Sequence, residues 1–254
     1  MSEFLEVQRD GRVLRVTLNR PEKRNALSVA LCDRIVNALE DGGHDSAIHA
    51  ILLAANGKSF CAGMDLNEAV TGNSAALTSA HERLFTVGSR LSKPIVCAVQ
   101  GAALAGGVGL VANCHIVFAA EDAHFGLTEI RLGLWPFLVF RALTAAIGER
   151  RSLALALTGE TFGAAAAMQM GLVYQVVPAA ELLHLANAMA VALSKWSPSA
   201  VRSGLGFVRE TRGQDWWTAG EIARQMREQL FRTQDFQEAI QAFREKRSPH
   251  WQGK

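Results

Sequence analysis

The sequence predicts an α/β domain that ends in an all-helical tail, and three observations carry this. Short runs of strand character, Val13–Leu18, Ala50–Ala55, Pro94–Gln100 and His115–Ala120, alternate with stretches of helical periodicity. One of them, Ala50-Ile-Leu-Leu-Ala-Ala55, is apolar at every position, as a strand buried on both faces of a parallel sheet must be. From Ala179 onward only helical patterns remain, at about 180–194, 198–211, 216–231 and 235–246. No repeat, low-complexity tract or linker interrupts the chain, so residues 1–195 are read as the strand-and-helix part and 196–254 as the helical region.

The bulk properties exclude several classes. At 254 residues and 49% hydrophobic, the chain has ample material for the core of a soluble protein. Lys and Arg total 26 against 24 Asp and Glu, which gives no electrostatic reason to bind nucleic acid or a membrane. The start, Met1-Ser-Glu-Phe-Leu-Glu-Val7, lacks the basic and apolar regions of a signal peptide, and no apolar run is long enough for a bilayer. Cys32, Cys61, Cys97 and Cys114 have no metal or redox spacing and read as buried free thiols of a cytoplasmic protein.

In order, Leu5–Arg9 and Val13–Leu18 flank the hairpin signal Asp10-Gly11. A cationic loop, Asn19 to Ser28, ends in an N-cap residue for a helix through about Leu39, with Asp41-Gly42-Gly43 as its stop. Asn56-Gly57-Lys58-Ser59 imitates a phosphate loop, but the glycine required five residues before Gly57 is Leu52. Phe60-Cys-Ala-Gly-Met-Asp-Leu66 is a second strand-to-helix corner built of small residues. Residues 67–92 are polar and then helical, and 67–77 have the composition of a mobile segment. After strands at 115–120 and 123–126, Leu127–Gly133 forms a short turn or helix carrying one carboxylate. Phe137–Thr158 and Gly163–Met170 read as helices and Val173–Val177 as a last strand.

Between these lies Gly101-Ala-Ala-Leu-Ala-Gly-Gly-Val-Gly-Leu110. Strand, glycine loop and helix start together point free N–H groups at an anionic atom. The same small residues also suit a tight packing corner with no ligand. Familiar chemistries fit poorly. His81-Glu82 lacks the second histidine of a zinc helix, because that position is Phe85. There is no Gly-x-Ser-x-Gly, and Cys61 has no evident histidine partner. Gly107-Val-Gly109-Leu-Val-Ala112 fits a dinucleotide fingerprint, but only about two helical turns separate it from the next strand.

Several segments, in order and over nearly the whole chain, resemble the enoyl-CoA hydratase/isomerase (crotonase) superfamily. They are Asn19–Ser28, Phe60–Leu66, Lys93–Leu110, Phe125–Gly133, Leu157–Gly159, Ala167–Val173 and Phe243–Trp251. The resemblance implies a spiral of ββα units whose C-terminal helices build a homotrimer or a dimer of trimers. It implies an acyl-CoA substrate, with coenzyme A entering as part of the thioester and no other cofactor or metal. By motif position, the N–H groups of Met64 and Gly106 would hold the thioester oxyanion and Glu129 would be the acid/base. Arg24, Ala26, Leu27, Ala62, Asp65 and Leu66 would line the CoA. Phe243 and Lys246 would close over it, in some relatives from a neighbouring subunit.

The chain departs from that pattern twice. Two-carboxylate hydratases carry a glutamate three residues after the oxyanion glycine; here that residue is Gly109. Glu129 is left as a single acid/base, with a raised pKa expected unless Arg131 pairs with it. Glu68, Glu121, Asp122 and Glu149 are the carboxylates that could complete a pair in space. The second departure is Leu134-Trp-Pro-Phe-Leu-Val-Phe140, whose Trp135 and Phe137 should narrow the acyl pocket toward short or branched groups. The expected activity is enoyl-CoA hydration, placed ahead of double-bond isomerisation. The alternatives are an acyl-CoA-binding protein with little catalysis and a nicotinamide-dependent oxidoreductase.

Overall fold

The computed structural model describes residues 4–72 and 74–254. Met1 to Glu3, at the start of the segment read as no signal peptide, and Asn73 lie outside the described residues. The chain runs β1 (Leu5–Asp10), β2 (Val13–Leu18), α1 (Val29–His44), β3 (Ala50–Ala55), α2 (Leu66–Thr71), α3 (Ser74–Arg90), β4 (Ile95–Val99), β5 (Ala102–Leu104), α4 (Gly106–Ala112), β6 (Ile116–Ala120) and β7 (His124–Gly126). It continues through α5 (Phe137–Ile147), α6 (Glu149–Thr158), β8 (Thr161–Gly163), α7 (Ala164–Met170), β9 (Gln175–Val177), α8 (Leu182–Leu193), α9 (Pro198–Thr211), α10 (Trp216–Phe231) and α11 (Gln234–Glu245). Glu129–Leu132 is a 3₁₀ turn.

Two sheets organise these elements. The larger has the order β1-β2-β3-β4-β6-β9; only the β1–β2 hairpin is antiparallel. The smaller is β5-β7-β8. Strand alternation sorts the core. Ile51 and Leu53 of β3 join one hydrophobic cluster with Leu31, Ile35, Leu84 and Val108 from the helices. Ala50, Leu52 and Ala54 face the other way, into a cluster closed by Leu182, Ala186 and Ala190 of α8. That spacing of four places all three α8 residues on one stripe. Both faces of β3 are covered, which is why its sequence shows no polar alternation.

Two local expectations need correction. Asp41-Gly42-Gly43 does not stop α1, which continues to His44. A Cβ on Gly42 would stand 2.5 Å from Leu14 Cδ2, and one on Gly43 2.7 Å from Leu91 Cδ2. The glycines let the helix lie close on its neighbours, and that packing outweighs their poor helix propensity. Phe137–Thr158 is two helices, broken at Gly148 with φ +86°. The short strands β5 and β8 carry too few residues for a period to be read.

Residues 66–71 and 74–90 are helical. Ser28 caps α1 by accepting from the Leu31 N–H at 3.3 Å. The four cysteines are free, and Cys114 alone among them is not fully buried. Among the described residues, no helix is long and apolar enough to cross a membrane.

Candidate active site

The site forms where the cationic loop, the 60–66 corner and the glycine stretch meet, beyond the C-terminal ends of β2, β3 and β4. Asn25 ties the first two together. It is fully buried, with φ +54°; its Nδ2 donates to the carbonyls of Asn56 and Ser59 at 3.0 and 2.9 Å, and its Oδ1 accepts from the Arg20 N–H at 2.8 Å. Asparagine tolerates the left-handed conformation that alanine resists. Asn25→Ala should therefore destabilise the protein by about 2–4 kcal/mol, since it strands two carbonyls and an N–H and adds backbone strain. Urea unfolding measures this; a loss below about 0.5 kcal/mol would show that the network is dispensable.

From that anchor the CoA candidates assemble. The Arg24 carbonyl accepts from the Ala62 N–H at 2.9 Å. Leu27 donates to the Gly63 carbonyl at 2.8 Å and accepts from the Asp65 N–H at 3.0 Å. These two bonds bracket Met64 in a parallel bridge, and such a bridge turns the bracketed residue's own N–H to the opposite side. Ala26 accepts from Arg20, whose guanidinium also pairs with Asp65 at 3.3 Å. The Asp65 carboxylate further caps α2 through the Asn67 N–H. Leu66 is exposed at the start of that helix. The structure thus gathers Arg24, Ala26, Leu27, Ala62, Met64, Asp65 and Leu66 around one corner.

The glycine stretch meets this corner edge to edge. Cys61 donates to the Ala102 carbonyl and accepts from the Leu104 N–H at 3.0 and 2.9 Å. A Cβ on Gly107 would stand 2.3 Å from the Cys61 carbonyl oxygen, so only glycine permits this approach. Ala105 donates to the Gly126 carbonyl at 2.8 Å and holds φ +50°, ψ −117°. That conformation is costly for alanine, and it launches α4 directly at Gly106. As the first residue of α4, Gly106 keeps a free N–H. Among the described residues, neither the Met64 nor the Gly106 N–H donates a hydrogen bond. Their segments abut at Gly63, whose Cβ, if it had one, would lie 3.2 Å from the Gly106 nitrogen.

Glu129 follows the Gly126 clamp by three residues. Burial raises its pKa from 4.5 to about 7, and its Oε2 is buried without a hydrogen-bond partner among the described residues. No charged group contributes to that shift. Arg131 lies instead along Gly159. Glu68 accepts from the Val29 N–H at 2.8 Å, and Glu121, Asp122 and Glu149 are exposed. None of the four contributes to the raised pKa of Glu129.

Gly109 has an occupant in place of the absent carboxylate. Phe85 of α3 brings Cδ1 and Cε1 within 2.8 Å of where a Gly109 Cβ would stand, and Val139 Cγ2 within 3.1 Å. The phenyl ring fills the room a glutamate would need. Phe85 lies on the buried side of α3, and nothing in the sequence paired it with Gly109. Trp135 packs on Phe140 with ring centroids 5.8 Å apart, while Phe137 is 73% exposed. A cavity of about 690 Å³ lies between α3, α4, α5 and residues 168–174, lined by Phe85, Cys114 and Arg141 but not by Glu129, Met64 or Gly106. Phe243 and Lys246 are exposed at the end of α11. Among the described residues, no hydrogen bond or ion pair links them to 24–27 or 62–66.

Comparison with known proteins places this arrangement. The family model for enoyl-CoA hydratase/isomerase matches residues 8–254. The chain is 36% identical to the 2,3-dehydroadipyl-CoA hydratase of Escherichia coli over the full length of both proteins. It is 36% identical to the mevalonyl-coenzyme A hydratase sidH of Aspergillus fumigatus, over 94% of this chain and 91% of that one. The crystal structure of an enoyl-CoA hydratase from Bacillus anthracis superposes with a TM-score of 0.94 at 31% identity, covering 99% of this chain and 100% of that one. The ββα architecture with helical C-terminus is thus the crotonase fold, and the chain belongs to the enoyl-CoA hydratase/isomerase family as an acyl-CoA hydratase/isomerase enzyme.

Proposed function

We propose that this chain hydrates a 2-enoyl-CoA, with Glu129 as its single acid/base and the N–H groups of Met64 and Gly106 as the oxyanion hole. The observation that carries the reading is the free, buried Oε2 of Glu129, three residues after the Gly126 carbonyl that accepts from Ala105 N–H just before Gly106. A carboxyl whose pKa lies near neutrality is present in both protonation states at working pH, so one group can take and return a proton. As carboxylate it removes a proton from water while the oxygen bonds to C3. The C2=C3 electron pair shifts to the thioester oxygen, where the two backbone donors and the start of α4 stabilise the charge. Protonated Glu129 then delivers the same proton to C2.

Arg24, Ala26, Leu27, Ala62, Asp65 and Leu66 would hold the CoA portion, Asp65 through its backbone, since its carboxylate is already engaged. Phe243 and Lys246 would contribute from a second copy, in a homotrimer or dimer of trimers that also covers the exposed Trp216 and Trp217. Trp135 favours a short or branched acyl group; the relatives named for dehydroadipyl- and mevalonyl-CoA have the same identity to this chain, so identity does not choose between them.

The test follows crotonyl-CoA and a 3-enoyl-CoA separately. Hydration of the former is expected; turnover of the 3-enoyl substrate alone would make the enzyme an isomerase, and turnover of neither would make it a binder. The pH profile is a second check. Hydration needs the ionised carboxylate, so kcat/KM should rise with pH, level off above about 7, and fall about tenfold per pH unit below it. A profile flat from pH 5 to 9 would take Glu129 out of the base role.

A further inference from the structure

Helix α3 buries an apolar stripe, Leu77, Ala80, Leu84, Phe85 and Val87, with one imidazole set in it, His81. His81 is 8% exposed, and its Nε2 is buried with no hydrogen-bond partner among the described residues. The Leu27 backbone lies near the ring and favours its protonated form. Because Nε2 is unpartnered, we assign the ring proton to Nδ1, toward the Leu27 backbone. Nε2 is then a bare acceptor. Burial lowers the ring's pKa, against Leu27 and Glu68, and a Glu68 oxygen is already engaged by the Val29 N–H. A buried acceptor left unmet is costly, so this nitrogen calls for a donor that the folded chain does not supply.

Its place in the fold suggests the donor. Leu27, on one side of His81, makes the two bonds that bracket Met64. Phe85, one helical turn on, lies with its ring centroid 5.5 Å from the imidazole. Phe85 Cζ is 3.1 Å from where a Gly106 Cβ would stand, and the same ring fills the room beside Gly109. His81 thus adjoins two residues, Leu27 and Phe85, that themselves meet the oxyanion segments and the position of the missing carboxylate.

Resting on the hydratase reading, we propose that His81 Nε2 accepts a hydrogen bond from the water that adds to C3, in place of the carboxylate absent at residue 109. One O–H of that water points to Nε2; the proton of the other passes to Glu129 as the O–C3 bond forms and returns to C2. His81 neither gains nor loses a proton, and water plus enoyl thioester gives the 3-hydroxyacyl thioester with no further reactant.

The test compares His81→Asn with His81→Gln. An asparagine amide reaches the Nδ1 position and keeps a donor toward the Leu27 backbone but offers no acceptor at Nε2; a glutamine oxygen reaches the Nε2 position. Two rates are read: hydration of crotonyl-CoA, and exchange of the C2 protons of butyryl-CoA in D2O, which needs Glu129 and the backbone donors but adds no water. In His81→Asn, hydration should fall roughly 10- to 100-fold while exchange stays within about threefold, and His81→Gln should recover most of the hydration. Melting curves confirm that both variants are folded. Equal hydration in the two variants, a loss below about threefold in His81→Asn, or hydration and exchange falling together would overturn the proposal for His81. Wild-type protein that exchanges C2 protons but does not hydrate would overturn the hydratase reading instead.

Discussion

Glu129→Gln should abolish most of the activity and make the protein more stable at alkaline pH. Loss of a positioned acid/base typically lowers kcat by about 10²- to 10⁴-fold. The stability effect follows from burial. The carboxyl has a pKa of about 7 in the folded chain against 4.5 when free, because desolvation penalises the charged form. Below pH 4.5 it is protonated in both states and resembles glutamine. Between pH 4.5 and 7 the native state binds more protons than the unfolded chain, so wild-type stability falls as pH rises. Above 7 the full cost applies, up to about 3 kcal/mol for this difference, and glutamine escapes it. The melting temperature of Glu129→Gln should exceed that of wild type by several degrees at pH 8 and match it near pH 4. A variant that keeps wild-type turnover, or whose advantage does not depend on pH, would show that Glu129 is neither the base nor a buried charge.

The second large effect is expected at Gly63, which touches no reacting atom through a side chain. It holds φ +93°, and an added Cβ would lie 2.8 Å from Ala105 Cβ, 2.9 Å from the Leu104 carbonyl oxygen and 3.2 Å from the Gly106 nitrogen. Two of these three are backbone atoms of the segment that carries Gly106, and they cannot rotate away. In Gly63→Ala one of the two donor segments must move, and the geometry shared by Met64 and Gly106 is lost. Loss of one oxyanion donor costs about 10²- to 10³-fold in kcat, and the positive φ and the clash together should cost about 2–4 kcal/mol of stability. Steady-state kinetics and melting curves measure both. A kcat within a few-fold of wild type would dissociate these N–H groups from the chemistry. Unlike Glu129→Gln, this variant should leave the pH midpoint of the residual activity in place.

The two variants mark where sequence reasoning succeeds and where it runs out. The buried parallel strand at Ala50–Ala55, the Ser28 cap and the helices from residue 182 onward were legible because each depends on residues close in the chain. The glycine stretch was legible only as two alternatives, anion cradle or packing corner. Gly107 and Gly101 serve close packing, against the Cys61 and Lys58 carbonyl oxygens at 2.3 and 2.0 Å from their would-be Cβ atoms. Gly106, one residue away, is left with a free N–H.

Glu129 stood out as a lone carboxylate among apolar residues, but its isolation was not decided there. Arg131, two residues away, was the natural partner, and the turn sends it along Gly159. His81 was set aside for want of a second histidine at Phe85, and in three dimensions that Phe85 packs on His81 and itself reaches Gly106 and Gly109. Period and capping are local, so the amino-acid order alone determined the longer strands, most helices and the glycine corner. Which side chain fills the space next to Gly109, and which polar atoms remain unmet, are results of packing between segments more than twenty residues apart. A chain of apolar and small residues admits many such packings, and only the folded molecule selects one.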